Sequence, residues 1–373
     1  QAIIDALDAA GKRANLVLIT GGLGPTKDDI TKATFCEYFN THLVSDKDVL
    51  ADVTAYFKNR NKEISDINKK QADVPFGCTV IRNKNGTAPG MWIEKNNVHY
   101  ISMPGVPYEM QGMVSDFVIP ELQKKYKLPY IYHKTILTQG IGESTLAELI
   151  SDWEDNLAQH NIGLAYLPST GMVRLRLSSK GIDALELKNR VEAEAEKVKP
   201  LIEKYIYGYE NYGEEQPTLE AIVGELLLSK NLKLGLAESC TGGYISHLIT
   251  SIAGSSAYFN GCIVPYHNEF KHNLLKVDNS VFETLGAVSE ECVTQMVKET
   301  QRTFNCQCAI AVSGIAGPAG ATADKPVGTT YIAVAFNDKV LVKHFVFGDN
   351  RMRNIQSTAV NALNLLRKLI LES

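Results

Sequence analysis

The chain has 373 residues, of which 45% are hydrophobic, and its 38 Lys and Arg against 42 Asp and Glu leave a formal net charge of −4. A chain of this length exceeds one typical core, so we expect two or three domains. The balanced charge argues against a nucleic-acid or membrane surface as the main function, and no apolar run reaches the roughly 20 residues that span a bilayer. Seven scattered cysteines favour reduced thiols in the cytoplasm over a disulfide framework.

Residues 1–130 are predicted to form a first α/β domain. A helix over residues 2–10 and a buried strand over residues 15–20 lead into the turn GGLGPTKDD, a pattern typical of doubly wound folds. Glycines let backbone approach a phosphate, and paired aspartates can hold a divalent cation. Alternatively, the polar residues of this turn only cap the next helix. The candidates are Gly22, Gly24, Thr26, Asp28 and Asp29, with Asp28 and Asp29 as metal ligands.

Further along this domain, strands over residues 91–94 and 98–103 are joined by Asn96-Asn97, which predicts a hairpin turn. Pro107 suits the first turn of the helix that follows. Glu109 in that turn is either a surface charge favoured by the helix dipole or a ligand contact beside the glycine turn.

Residues 131–208 are predicted to form a small α+β module. It has a strand over residues 134–139, a helix from residue 142 to about 157, strands over 163–167 and 173–178, and a long helix over 184–205. The glutamates of that helix indicate a solvated face. A polar, glycine-flanked linker is expected over residues 209–216, before a last domain over residues 217–373.

The last domain contains LGLAESCTGGYIS at residues 234–246, which predicts a strand, a turn with Ser239 and then a helix. Such a turn places a serine at the carboxyl end of a strand, beside unpaired N–H groups at the helix start. A nucleophile and an anion site would then lie together. The alternative is a plain tight turn, which is common in α/β folds.

A neutral serine needs a base. Tyr266 ends a strand predicted over residues 258–266, and Lys271 follows about one helical turn later, where its cation would favour the phenolate. His267 competes as a base, and spacing alone does not choose between them. A second glycine-rich loop at residues 313–320 offers another set of amides for an anion, with Lys325 behind it. The other candidate bases are Glu238, His247, His272 and His344.

Five motifs occur in order along nearly the whole chain: GGLGPT at residues 21–26 before Asp28-Asp29, GTAPG at 86–90, PGVP at 104–107, AESCTGG at 237–243 and SGIAGP at 313–318. They are specific in combination, and with them the chain resembles the CinA family of competence/damage-inducible proteins. The resemblance implies a multidomain α/β fold with a molybdopterin-binding-like domain, a KH-like module and a C-terminal amidohydrolase domain.

For the C-terminal domain the resemblance implies deamidation of nicotinamide mononucleotide to nicotinate mononucleotide and ammonia, in pyridine nucleotide salvage, without a cofactor. The family's catalytic serine, tyrosine and lysine fall on Ser239, Tyr266 and Lys271. We expect Tyr266 as phenolate to be the base and Lys271 to lower its pKa, with the amides of residues 241–243 binding the oxyanion. The expected substrate-binding residues are Thr241, Gly242, Gly243, Asn268, Gly314, Gly317, Lys325 and Arg351.

For the first domain the resemblance implies a metal-dependent ADP-ribose pyrophosphatase, and it implies a cytoplasmic homodimer for the whole chain. A third hypothesis is a module that binds nucleotides without turnover. Three departures from the family pattern stand out. Residues 266–271 read Tyr-His-Asn-Glu-Phe-Lys instead of Tyr-Ser-Asn-Glu-Ala-Lys, Asn350 precedes Arg351, and the first domain lacks the family's N-terminal strand and the segment after it.

Overall fold

The computed structural model describes residues 1–214 and 216–373 and forms two compact units, Gln1–Leu128 and Pro129–Ser373. Both units combine helices and sheets, which confirms the predicted multidomain α/β fold. Residue 215 of the predicted linker lies outside the described residues. In the described part of the chain, no helix has both the length and the apolar character needed to cross a membrane.

The first unit is built on a four-stranded sheet in which β1 pairs in parallel with β6, and β6, β5 and β4 pair antiparallel. The predicted hairpin turn is confirmed, because Asn96 and Asn97 both have positive φ, +53° and +60°. The helices are α1 Ala2–Gly11, α2 Thr31–Phe39, α3 Lys47–Lys58, α4 Asp66–Lys69, α5 Pro107–Met113 and α6 Ile119–Lys125, and the strands are β1 Leu16–Thr20, β2 Leu43–Ser45, β3 Asp73–Pro75, β4 Thr79–Ile81, β5 Gly90–Lys95 and β6 Val98–Met103.

The second unit begins with a βαββαβ module whose antiparallel sheet has the strand order β10-β7-β9-β8, with both helices packed on it. Strand β10 runs to Asn211, so residues 209–211 are not part of a linker as predicted. They pair with β7, and Tyr209 packs against the core of the module. The elements are β7 Tyr130–Gln139, α7 Glu143–Leu157, β8 Ile162–Ser169, β9 Met172–Gly181, α8 Ala184–Ile202 and β10 Ile206–Asn211.

The rest of this unit surrounds a five-stranded sheet of order β12-β11-β13-β14-β15. The central strand β11 is parallel to both neighbours. One face of the sheet packs on α9, α10 and α14, and the other on α11, α12 and α13. The elements are α9 Leu219–Ser229, β11 Leu234–Glu238, α10 Tyr244–Thr250, β12 Phe259–Ile263, α11 Asn268–Leu275, α12 Asn279–Thr284, α13 Glu290–Phe304, β13 Cys308–Gly314, β14 Thr329–Phe336, β15 Lys339–Val346 and α14 Arg351–Leu371.

Candidate active site

Three parallel strands of the second unit end at one edge of the sheet. In register, Ala237 of β11 lies opposite Ile263 of β12, and Glu238 lies opposite Val312 of β13. The segments that follow these strands are the Ser239 turn, residues 264–271 and the glycine-rich loop after Gly314. The carboxyl edge of a parallel sheet is where α/β folds bind ligands, and the predicted candidate residues of this domain converge there.

The predicted strand, turn and helix around Ser239 are confirmed by β11, residues 239–243 and α10. Ser239 is 8% exposed, and its N–H donates to the carbonyl of Val312 over 3.1 Å. Gly242 and Gly243 have φ of +60° and +99°, values that favour glycine because they crowd a Cβ. These two glycines allow the chain to reverse from the strand into the helix within five residues.

Glu238, the last residue of β11, is fully buried. Its carboxylate accepts hydrogen bonds from the N–H groups of Gly243 (3.1 Å), Ile245 (2.9 Å) and Ser246 (2.7 Å). The Ser246 hydroxyl also donates to it over 2.7 Å, and the Cys262 thiol lies 3.6 Å away. The carboxylate of Glu238 therefore accepts the hydrogen bonds of the amides at the start of α10.

The amides expected to bind the oxyanion need a correction. Gly243 N–H donates to Glu238, and Gly242 N–H donates to the carbonyl of Ser239 over 3.2 Å, so neither is free as predicted. Within residues 1–214 and 216–373, the N–H groups of Cys240 and Thr241 have no protein acceptor. The hydroxyl of Thr241 is buried and also lacks a partner among these residues.

Lys271 lies in the first turns of α11 and is 2% exposed, so it is not a solvated helix charge. Its ammonium donates to the carbonyl of Pro265 over 2.9 Å and has no carboxylate partner among the described residues. Burial lowers the pKa of Lys271, opposed by its interactions with the thiols of Cys292 and Cys240. Lys271 therefore carries a buried ammonium on the segment that follows β12, the strand next to β11.

Tyr266 does not pair with Lys271 as predicted. It follows the end of β12, which stops at Ile263, and its ring is 63% exposed. The cation at its hydroxyl belongs to Arg351, the first residue of α14, whose Nη2 donates to Tyr266 over 3.0 Å and whose Nη1 donates to the carbonyl of Gly317 over 2.7 Å. The predicted substrate-binding residue Arg351 thus links the phenol to the glycine-rich loop.

His267, the competing base, is the N-cap of α11, and its Nδ1 accepts from the N–H of Glu269 over 3.4 Å. This bond uses one of the two ring nitrogens in capping the helix. Asn268 is the exposed first residue of the same helix. The His267 side chain therefore caps the amino-terminal end of α11.

The second glycine-rich loop is held by its own neighbours. Gly314 ends β13, where a side chain would collide with Thr330, and Gly317 has a φ of +87°. Asn354, which is 2% exposed, donates to the carbonyls of Ala316 (3.0 Å) and Gly348 (2.9 Å). The ammonium of Lys325, predicted to meet a nucleotide, donates to the carbonyl of Leu285 over 2.6 Å.

Sequence reasoning missed the roles of Glu238 and Asn354. Each stands as a polar residue in an otherwise apolar buried pattern: Glu238 closes the run Leu234–Glu238, and Asn354 lies on the core-facing stripe of α14. Buried polar groups are normally hydrogen-bonded. A polar residue at a core position beside a glycine turn was therefore the available signal.

In the first unit, the predicted glycine turn follows β1. Thr26 does not cap a helix, because α2 begins at Thr31 after an N-cap, Ile30, that makes no side-chain bond. Instead, Thr26 donates its hydroxyl (2.5 Å) and its N–H (3.0 Å) to Asp29. The hydroxyl bond lowers the pKa of Asp29. Gly22, with a φ of +68°, lies against Thr31, and Gly24 lies against Asp29.

Glu109 accepts from the amide of Asn83 over 2.7 Å and packs against Gly86 of the GTAPG motif. Asp28 is exposed. Over the described parts of the chain, no three His, Cys, Asp or Glu side chains lie close enough together to hold a metal ion. One or two carboxylates together with substrate phosphates are a usual ligand set for Mg²⁺, so the metal site at Asp28 and Asp29 and metal-dependent pyrophosphate hydrolysis stay predictions of the resemblance.

Three family profiles match the chain in succession. They are the probable molybdopterin-binding domain over residues 1–124, the damage-inducible protein CinA KH domain over residues 133–208, and the CinA C-terminal domain over residues 216–370. Their order is the order that the sequence motifs imply.

Whole proteins of the same organisation are similar over almost the full chain. A CinA-like protein of Cytophaga hutchinsonii is 46% identical over 370 residues, which cover 99% of this chain and 87% of the relative. A putative competence-damage inducible protein of Caldicellulosiruptor saccharolyticus is 40% identical over 98% of this chain and 87% of its own length. The competence/damage-inducible protein CihA of Agrobacterium tumefaciens, whose crystal structure is known, is 35% identical in sequence. The match covers 42% of this chain and 98% of that protein, with a TM-score of 0.39. The chain belongs to the CinA family.

Proposed function

We propose that the C-terminal domain hydrolyses the carboxamide of nicotinamide mononucleotide, giving nicotinate mononucleotide and ammonia, with Ser239 as the nucleophile. The observation that supports this best is the arrangement of the Ser239 turn. Among the described residues, a nearly buried serine is followed by two amides without an acceptor, and the buried Lys271, which has no acidic partner, lies on the segment after β12, the strand next to β11. These are a nucleophile, an oxyanion site and a base.

The reaction would run in two steps. Ser239 Oγ attacks the carboxamide carbon while its proton passes to the base, and the tetrahedral oxyanion forms within reach of the Cys240 and Thr241 amides. The base then returns the proton to the leaving nitrogen, so ammonia departs and an ester with Ser239 remains. Water adds to this ester by the same route and releases the carboxylate and the serine. Overall, one water is consumed for each ammonia released.

Of the two candidates, Lys271 is the buried one and the one that we assign as the base. Burial lowers its pKa, so a larger fraction of the amine is neutral near physiological pH than for a solvated lysine. Tyr266 is exposed and already accepts from Arg351. We therefore assign proton transfer to Lys271 and give Tyr266 and Arg351 the edge of the site, where the guanidinium suits the anionic phosphate of a mononucleotide.

Release of ammonia from nicotinamide mononucleotide tests the proposal. We expect turnover by the wild-type chain and a loss of at least about 10³-fold for Ser239→Ala, since the nucleophile cannot be replaced by water in place. Ser251→Ala is the matched control, because this exposed serine bonds only the carbonyl of Leu248 within its own helix turn. Undiminished release by Ser239→Ala would remove Ser239 from the reaction.

The homodimer and the cytoplasmic location implied by the resemblance are part of the same proposal. Light scattering on the eluted peak of a gel filtration column tests the oligomer, with twice the mass of 41.0 kDa expected. A monomer that still releases ammonia would show that one chain completes the site.

A further inference from the structure

Glu238 is a buried carboxylate that the proposed reaction does not use. It is fully buried, and its oxygens face three backbone N–H groups, one hydroxyl and one thiol. No lysine, arginine or histidine of the described residues forms an ion pair with it. A buried charge normally requires a partner of opposite charge or a full set of hydrogen bonds, and here the backbone of the Ser239 turn supplies the second.

The same contacts exclude Glu238 as the general base. Oε2 accepts from Gly243 and Ile245, and Oε1 accepts from the N–H and hydroxyl of Ser246 and, over 3.6 Å, from the Cys262 thiol. A carboxylate offers about four lone-pair positions. No position is left for the serine proton.

We propose that Glu238 is a positioning residue for Ser239, which selects the amides that stabilise the oxyanion. By binding Gly243, Ile245 and Ser246, it ties the far end of the turn to the end of β11. Ser239 N–H and Gly242 N–H are held by Val312 and by Ser239 itself. Among the amides of this turn, only those of Cys240 and Thr241 remain without an acceptor in the described part of the chain. The amide after a nucleophile at a strand-to-helix turn is the usual oxyanion donor.

This inference rests on the proposed function for its reaction, and Glu238→Gln tests it. Glutamine has the same shape, but its NH₂ group faces N–H donors and cannot accept from them. The turn should relax and the two free amides should move out of line. We expect kcat for ammonia release to fall about 10²-fold, the usual effect of losing one oxyanion donor, with KM within about threefold of wild type because the substrate-binding edge is untouched.

The pH profile separates positioning from base catalysis. If Glu238 positions the turn, Glu238→Gln keeps the shape of the wild-type profile at a lower height. If Glu238 is the base, the acidic limb disappears, and the inference is overturned. A kcat within threefold of wild type, or a raised KM at constant kcat, overturns it as well. Glu194→Gln is the control, because Glu194 is also a buried glutamate (4% exposed) but lies in the middle module, bonded to Lys197; its kcat should equal that of wild type.

A second variant and a second readout keep the outcome decisive. Glu238→Asp retains the charge but withdraws it by one methylene, so its kcat should fall by a similar factor. If Glu238→Gln does not fold, wild-type kcat in Glu238→Asp overturns the inference. Labelling of Ser239 by a fluorophosphonate measures the nucleophile without the nucleotide. If the wild type is labelled and labelling of Glu238→Gln is slower by about 10- to 100-fold, since a misplacement of about 1 Å can cost 10²-fold, the inference is supported even if no ammonia is released. Equal labelling rates for wild type and Glu238→Gln overturn the role of Glu238 but leave the proposed reaction standing. If the wild type neither releases ammonia nor is labelled, the proposed reaction and the role of Glu238 are both overturned.

Discussion

At the scale of single residues, the proposed reaction depends on Lys271, whose side chain is buried. In the part of the chain that the structure describes, Lys271 donates only to the carbonyl of Pro265. Desolvation disfavours a charged amine, so the neutral form becomes accessible at lower pH than in water. Burial of Lys271 therefore costs stability and, in the proposed reaction, makes the neutral amine available as the base.

Substituting Lys271 and Tyr266 one at a time distinguishes the two candidate bases. Lys271→Arg keeps the positive charge, but a guanidinium does not give up its proton, so we expect kcat to fall about 10²- to 10⁴-fold. Tyr266→Phe removes only the acceptor of Arg351, and we expect a loss of about tenfold or less, in line with one solvent-exposed charged hydrogen bond. Ammonia release by both variants measures this. A larger loss for Tyr266→Phe than for Lys271→Arg would restore the phenol as the base.

The burial of Lys271 also predicts a pH-dependent stability. Its folded-state pKa lies below the ordinary value of 10.5, so between the two values the unfolded chain binds more protons and stability rises with pH. Lys271→Met removes this penalty. We expect the variant to be inactive yet more stable than wild type by about 1 kcal/mol at pH 7, as found when functional strain is removed, with the difference shrinking as the pH approaches 10. Urea unfolding at pH 7 and pH 10 measures it, and a difference that does not change with pH would contradict the argument.

At the scale of elements, most of the strands and helices could be predicted, because their apolar periods and turn residues are local. The hairpin at Asn96-Asn97, the turn at Ser239 and the Ser289 start of α13 follow from such signals. The contacts of Tyr266 and Lys271 could not be predicted from their spacing. Since β12 stops at Ile263 and α11 starts at Asn268, one side chain falls in an exposed loop and the other turns into the core.

The pairing of β11 with β12 carries the site, and it depends on two glycines under one aromatic ring. A side chain at Gly235 would come within 2.7 Å of the ring of Phe304 and 3.1 Å of the thiol of Cys306, and Gly261 lies under the same ring. The register between the two strands also shifts next to Gly235. The Phe304 ring at the end of α13 therefore helps to set where each strand ends and where the segment with its candidate site residues begins.

We expect Gly235→Ala to lower the free energy of unfolding by about 1–3 kcal/mol, because it overpacks a filled core. Phe304→Leu in the same chain should recover part of this loss by making room. Gly163→Ala is the control, since this strand glycine has only one atom near the added methyl, 4.0 Å away, and should be neutral or stabilising by about 0.5 kcal/mol. Urea unfolding of the four chains decides the point. Equal changes in the free energy of unfolding for Gly235→Ala and Gly163→Ala would show that the Phe304 ring moves to accommodate the added methyl group.

At the scale of the second unit, the middle module and the C-terminal domain share the helix α14. The side chain of Gln139 at the end of β7 is 3% exposed, donates to Asn361 over 2.9 Å and accepts from Asn364. Arg367 continues this network, with bonds to Asn364 (2.9 Å) and to the carbonyl of Ile206 (3.2 Å). A buried polar network of this kind specifies one docked arrangement, and it acts on the helix whose first residue, Arg351, reaches the candidate site.

Gln139→Ala should uncouple these two parts. Truncation leaves the oxygen of Asn361 and the amide of Asn364 without their partner inside the interface, which costs about 2–3 kcal/mol. In urea we expect the single transition of the middle module and C-terminal domain to move to lower denaturant and to split in two, since the C-terminal core can then persist after the module has unfolded. Gln159→Ala, whose exposed side chain bonds only to Asn156 over 3.2 Å, should leave the curve within about 0.5 kcal/mol of wild type. An unshifted single transition for Gln139→Ala would mean that apolar packing on α14, and not this network, joins the two parts.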